Sequence, residues 1–267
     1  MPLQAPLHPA TRDLQSDPRT QPFDLGTGRP VLLLHGFTGT PYEVRPLGEA
    51  LARRGYRAVG PRLRGHATTP EALAQTHAGD WFLGVREELD RLPGPVHLVG
   101  LSVGAMLALL LARDCPDRIA SLTLLAPAAQ FRGQVRAFFQ LFRIGAIARR
   151  FPFLEKSGVG MVDREFAASA PSLPRVPTHL AVEVLRLIDE ARSAASAVRV
   201  RSLICYGGKD QTVSGAGVRK LVAHLQPPPD RVLLLARSGH LLPLDVERET
   251  LAEAVGAFIV QVDTLKG

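Results

Sequence analysis

A serine between two glycines, in Gly100-Leu101-Ser102-Val103-Gly104, is the sharpest chemical signal in this chain. It follows the apolar run Val96-His97-Leu98-Val99 and precedes a run of strong helix formers from Ala105 to Arg113. A serine on such a strand-to-helix turn projects its Oγ beyond the strand end, and glycines flank it because side chains there would collide with neighbouring backbone. The helix that starts at Val103 aims its amides at the same point and favours negative charge there. In that context Ser102 reads as a nucleophile, and the alternative is a turn-forming structural serine.

A hydroxyl needs a base before it can attack. Of eight histidines, His240 stands out, on a loop in Ser238-Gly239-His240-Leu241-Leu242 just past the apolar run Val232–Leu235. His35, His66, His77 and His97 are accounted for by turn or strand positions. The base in turn needs a carboxylate to hold its tautomer and stabilise the imidazolium. Asp210, in Gly207-Gly208-Lys209-Asp210-Gln211, follows the apolar run 200–205. No Asp or Glu lies between Arg118 and Leu154 to serve from the preceding run. Asp245 is near His240 but opens the last helical stretch, where an N-cap role is expected.

A developing oxyanion also needs donors. The amide of Val103, next to the nucleophile, is one expected donor. The amide of Phe37, in the loop His35-Gly36-Phe37-Thr38-Gly39-Thr40, is the second, with Gly36 allowing close approach. The Phe37 ring and Leu241 are the expected substrate contacts.

These residues all lie at the ends of apolar runs. Segments 31–34, 57–59, 96–101, 121–125, 200–205 and 231–235 alternate with helix-like stretches at 41–54, 80–92, 103–114, 214–225 and 245–262. Fully apolar strands alternating with helices indicate a parallel sheet covered on both faces. Residues 130–196 carry no clear strand and exceed what a crossover needs, so they read as an insertion, with an amphipathic helix at 180–195. The expected organisation is a proline-rich lead-in over 1–29, a core formed by 30–129 and 197–267, and a cap or lid over 130–196.

Taken in order, Leu32-Leu33-Leu34-His35-Gly36-Phe37-Thr38-Gly39-Thr40-Pro41, Arg64-Gly65-His66, Gly79-Asp80-Trp81, Gly100–Gly104, Gly208–Asp210 and Ser238–His240 resemble the bacterial carboxylesterase and monoacylglycerol lipase branch of the α/β-hydrolases. The match covers 30–128 and 198–262. The resemblance implies the α/β-hydrolase fold, a mostly parallel central sheet with helices on both faces and an inserted helical cap. It also implies hydrolysis of short to medium acyl or monoacylglycerol esters, with Ser102, Asp210 and His240 as triad and Phe37 and Val103 as amide donors. The chain departs from it at Arg64-Gly65-His66-Ala67, where relatives usually carry a second glycine; substrate size is the property this touches. A thioesterase or a C–C bond hydrolase would use the same triad, and a non-catalytic binding protein would keep only the pocket.

Other chemistries find no support. There is no zinc-spaced Cys/His cluster, no phosphate-binding loop and no Gly-x-Gly-x-x-Gly turn, so no metal or cofactor is expected. Cys115 and Cys205 sit in apolar stretches and read as reduced core residues. The net charge of +7 comes from 32 basic against 25 acidic residues; the basic ones are nearly all arginine and are spread along the chain. That pattern, with no asparagine anywhere, points to a GC-rich genome rather than a nucleic-acid partner. One local concentration, Arg132 to Arg150 among phenylalanines, suits a cap packed on its own domain; a weak contact with a membrane surface through 131–150 is the alternative kept open. No signal-peptide core occurs in 1–29, so a cytoplasmic location is expected, and the oligomeric state is not specified.

Overall fold

In the computed structural model, which describes residues 14–156, 160–162, 170–226 and 231–265, the apolar runs become the strands of one sheet. In chain order the strands are β1 (Phe23–Leu25), β2 (Pro30–Leu34), β3 (Arg57–Gly60), β4 (Val96–Leu101), β5 (Ile119–Leu125), β6 (Phe153–Glu155), β7 (Arg175–Pro177), β8 (Ser202–Gly207) and β9 (Val232–Leu235). Seven form a sheet in the order β1-β3-β2-β4-β5-β8-β9, while β6 and β7 pair separately. Every neighbour in the large sheet is parallel except β1, which runs antiparallel along β3. The lead-in thus contributes an edge strand.

The register gathers the site. Leu34 lies opposite Gly100, Leu101 opposite Leu125, and Leu125 opposite Cys205. The loops that leave β2, β4, β5 and β8 therefore emerge side by side at one sheet edge, where ligands bind in such sheets. Every residue of β2, β4 and β5 is buried, as continuous apolar runs require of central strands covered on both faces.

The main helices are α1 (Arg45–Arg53), α2 (Pro70–Ala74), α3 (Ala78–Arg91), α4 (Val103–Asp114), α5 (Gly133–Phe142), α6 (Gly145–Arg150), α7 (Leu180–Ala194), α8 (Gly215–Leu225) and α9 (Arg248–Thr264). Val31, Leu33, Val99 and Leu101 face α1 and α9, whereas Leu32, Leu34 and Leu98 join α3, α4 and α7 on the other face. This is the period-two alternation of a strand expressed on a two-sided sheet. Helix α7 differs from its sequence assignment. Grouped with the insertion by pattern, it packs along α4 and buries Leu180, Val184, Leu187 and Ile188 in the core. The departure from the sheet is then confined to the segment between β5 and α7, which holds α5, α6 and the β6–β7 pair.

At the opposite sheet edge a buried polar node fixes α9. Asp263 accepts from Arg29 Nη1 at 2.5 Å, Tyr56 Oη at 3.0 Å and His97 Nε2 at 3.0 Å. His97 Nδ1 in turn accepts from Ser121 Oγ at 2.7 Å. Burial and then Asp263 push the Tyr56 phenol up to about 12. Among the described residues no helix is long and apolar enough to cross a membrane.

Candidate active site

Ser102 occupies the sharp turn between β4 and α4, with φ 56° and ψ −114°. A non-glycine residue with positive φ is strained, and the surroundings over-determine it. Its N–H donates to Leu125 O at 2.9 Å, and its carbonyl accepts from Ala105 at 3.1 Å and Ala128 at 3.2 Å. Both flanking glycines are sterically required. A Cβ on Gly100 would stand 2.3 Å from Gly104 O, and one on Gly104 would stand 2.4 Å from His35 O.

Three residues separated widely in sequence meet here. His240 Nε2 lies 2.9 Å from Ser102 Oγ, and His240 Nδ1 lies 2.8 Å from Asp210 Oδ2. A carboxylate only accepts, so Nδ1 carries the proton and Nε2 presents its lone pair to the serine hydroxyl. The second Asp210 oxygen, Oδ1, accepts from Thr212 N at 2.7 Å and Val213 N at 2.9 Å. Burial alone would raise the Asp210 pKa, but His240 and these two amides outweigh it and hold it below the ordinary value. Arg132 Nη1 grips the Asp210 carbonyl at 2.8 Å from the start of the excursion.

The loop bearing His240 is braced by residues whose role the sequence pattern hid. Helix α9 begins at Arg248, so Asp245 is not its N-cap. Instead the buried Asp245 carboxylate accepts from Gly239 N at 2.6 Å and Val162 N at 3.1 Å. Glu247 accepts from Ser238 Oγ at 2.8 Å and Arg237 N at 2.9 Å. From the excursion, the Gly160 carbonyl accepts from His240 N at 2.5 Å and Leu241 N at 3.3 Å. Gly160 has φ +63°, and a side chain there would press on His240 Cβ at 3.0 Å.

On the other side of Ser102 runs the loop from Gly36 to Thr40. A Cβ at Gly36 would come within 3.4 Å of Ser102 Cβ, so this backbone lies directly against Ser102. Phe37 is half-buried, with its ring 5.5 Å from Trp81 and 5.9 Å from His66. Val103 is the first residue of α4, where amides have no partner within the helix. Leu241 packs with Val99, Leu101, Leu125 and Cys205 on the α1 and α9 face, away from the cluster that receives Phe37. Two buried residues lie beside the loop: Glu43, which no motif marks and which accepts from Gly36 N at 2.9 Å, and His66 of the Arg64-Gly65-His66 segment. Ala67, which stands where relatives usually have glycine, is buried with φ +52°.

His35 and His66 are both fully buried. His35 donates from Nδ1 to Gly36 O at 2.9 Å and accepts at Nε2 from Leu63 N at 3.1 Å. Burial, then the neighbouring His66, lowers His35 to about 3, and burial lowers His66 to about 4. These folded pKa values lie below the unfolded value of 6.5. Their contribution to stability is therefore full above pH 6.5 and is lost as the pH falls toward the folded values. Each histidine sets a slope of up to about 1.4 kcal/mol per pH unit in that window. Glu43, whose pKa is raised chiefly by burial, acts in the opposite sense. Urea midpoints are expected to be clearly lower at pH 5.0 than at 7.5, with a shallower dependence in His66→Gln; equal midpoints would refute the neutral, buried state. The two cysteines are free and buried, and burial pushes the Cys205 thiol up to about 12.

Known proteins resemble this chain along most of their length. A thermostable monoacylglycerol lipase from Bacillus sp. (strain H-257) is 28% identical over 232 residues, spanning 84% of this chain and 87% of the lipase. A carboxylesterase from Bacillus subtilis (strain 168) is 23% identical over 253 residues, spanning 91% and 97%. Among solved structures, a chain from the pair of metagenome-derived lipolytic enzymes LipS and LipT superposes with a TM-score of 0.82 at 26% identity, covering 91% of this chain and 98% of that one. The monoacylglycerol lipase of Paleococcus ferrophilus superposes with a TM-score of 0.76 at 17% identity, a likeness of fold. A family model spanning residues 31–254 accounts for the sheet, the elbow and the histidine loop together, and the chain belongs to the alpha/beta hydrolase family.

Proposed function

We propose that the chain is a serine esterase, cleaving carboxylic esters of short to medium acyl chains or monoacylglycerols through an acyl-enzyme. The observation that carries this reading is the continuous path Asp210–His240–Ser102 at the elbow. In the proposed cycle His240 Nε2 takes the Ser102 proton as Oγ attacks the ester carbonyl. The amides of Phe37 and Val103 hold the oxyanion, the largest single contribution at sites of this type. The imidazolium, balanced by the Asp210 carboxylate, then protonates the leaving alcohol. A water deprotonated by His240 attacks the acyl-enzyme and returns the serine.

The choice of esters draws support from the lipase and carboxylesterase named above. It also draws support from the aromatic inner side of the excursion, where Phe131 and Phe139 stack at 4.2 Å and Phe138 and Phe142 pack beside them. Leu141, Ile144 and Phe151 of the same segment are about half exposed, beside Arg143, Arg149 and Arg150. An aggregated or membrane-borne ester would meet the enzyme on that face. A panel of esters from acetyl to long-chain acyl, with monoacylglycerols, an acyl-CoA and a carbon–carbon substrate, tests the assignment. The expected result is turnover of the oxyesters with a short-to-medium optimum; preference for the acyl-CoA or the carbon–carbon substrate would replace it with the thioesterase or C–C hydrolase reading.

A further inference from the structure

A carboxylate lies under the loop that would hold the oxyanion, and the cycle above gives it no task. Glu43 is 6% exposed, and its Oε2 accepts from Gly36 N at 2.9 Å. The loop is wrapped around it. A Cβ on Gly39 would fall 2.2 to 2.4 Å from Oε2, Oε1 and Cδ of Glu43, so a side chain there would displace the carboxyl group. Gly39 N closes the turn onto Gly36 O at 3.1 Å, and Glu43 N returns to Thr40 O at 3.0 Å. The excursion reaches the same loop: Leu173 N donates to Thr38 O at 3.3 Å, and Thr40 Oγ1 donates to Pro171 O at 3.4 Å.

We propose that Glu43 is a positioning residue that fixes the oxyanion loop through Gly36. The inference rests on the esterase reading, because an oxyanion loop matters only if an oxyanion forms. A charged acceptor makes the stronger bond to a peptide N–H, which suits a loop that must not shift when the next amide is used. The Glu43 pKa is raised by burial and pulled back first by Lys156, then by the Gly36 bond and by His240. Lys156 shows the reciprocal pattern, lowered by burial and raised by Glu43.

The test compares Glu43→Ala and Glu43→Gln with the parent on p-nitrophenyl butyrate. Inhibition by a trifluoromethyl ketone, whose adduct with Ser102 carries the oxyanion, is measured in parallel. Glu43→Ala is expected to lose roughly 30-fold or more in kcat with KM little changed, and to weaken the ketone by a similar factor. Glu43→Gln, which keeps an oxygen for Gly36, is expected to recover about tenfold of that loss. The proposal is overturned if Glu43→Ala keeps parental kcat, if Gln is as damaging as Ala, or if kcat falls while ketone affinity holds. Should Glu43→Ala fail to fold, Glu43→Gln decides: parental kcat together with parental ketone affinity overturns the proposal. A parent that does not hydrolyse the ester, or a Ser102→Ala variant as active as the parent, refutes the esterase reading instead.

Discussion

Replacing Ser102 by Ala is expected to lower kcat on a p-nitrophenyl ester by about 10⁴- to 10⁶-fold, the range over which loss of a serine nucleophile removes acyl-enzyme chemistry. The fold should survive the change. Ser102 holds the turn through its backbone N–H and carbonyl, and its hydroxyl is hydrogen-bonded to His240. Alanine at φ 56° is strained to about the same degree as serine. Activity is therefore lost without a matching loss of thermal stability, which separates chemistry from folding. A fluorophosphonate reagent provides the second measurement: it should label the parent and not the variant. Residual turnover above about one per cent of the parent would mean that another group attacks the ester.

Asp210→Asn is expected to cost about 10³- to 10⁴-fold in kcat, although it changes a single atom. The surroundings of the carboxylate dictate how the new amide must sit. Oδ1 receives two backbone N–H groups, from Thr212 and Val213, so an asparagine must turn its carbonyl oxygen toward them. Its NH₂ group then faces His240 Nδ1. Two donors cannot face each other, so the imidazole shifts its proton to Nε2 and loses the lone pair that accepts the Ser102 proton. KM should change little, since no substrate contact is altered. Imidazole NMR resonances should report the changed tautomer. Activity within tenfold of the parent would show that the acid does not set the tautomer.

The legible parts of this protein are those that local chemistry writes into consecutive residues. The central strands are buried on both faces and so appear as unbroken apolar runs, and the elbow needs glycines at two fixed positions. Strand ends β2, β4, β8 and β9 then point to the loops that carry Phe37, Ser102, Asp210 and His240. What stayed hidden depends on contacts between distant segments. Glu43 looks like an exposed helix-start glutamate until the loop seven residues earlier folds over it. Gly160 acts through a carbonyl that no motif marks. Asp245 reads as a cap because caps are short acids before helices, yet its carboxylate points back to Gly239. Helix α7 carries the amphipathic pattern of any surface helix, and that pattern does not say whether the apolar side rests on the sheet layer or on a cap.

The node at the far sheet edge gives this molecule a built-in comparison. Ser121, His97 and Asp263 are linked in the same serine–imidazole–carboxylate sequence as the residues at the elbow, with the ring turned so that Nε2 faces the acid. Yet Ser121 and His97 are wholly buried, and Ser121 lies within a strand rather than ahead of a helix. The reactivity of Ser102 over Ser121 therefore reflects solvent access, a strained turn and waiting amides, together with the different partners of the two carboxylates, Arg29 and Tyr56 on Asp263 and two backbone amides on Asp210. A covalent serine reagent should add one tag per chain, found by peptide mass on the fragment containing Ser102 and absent from the one containing Ser121.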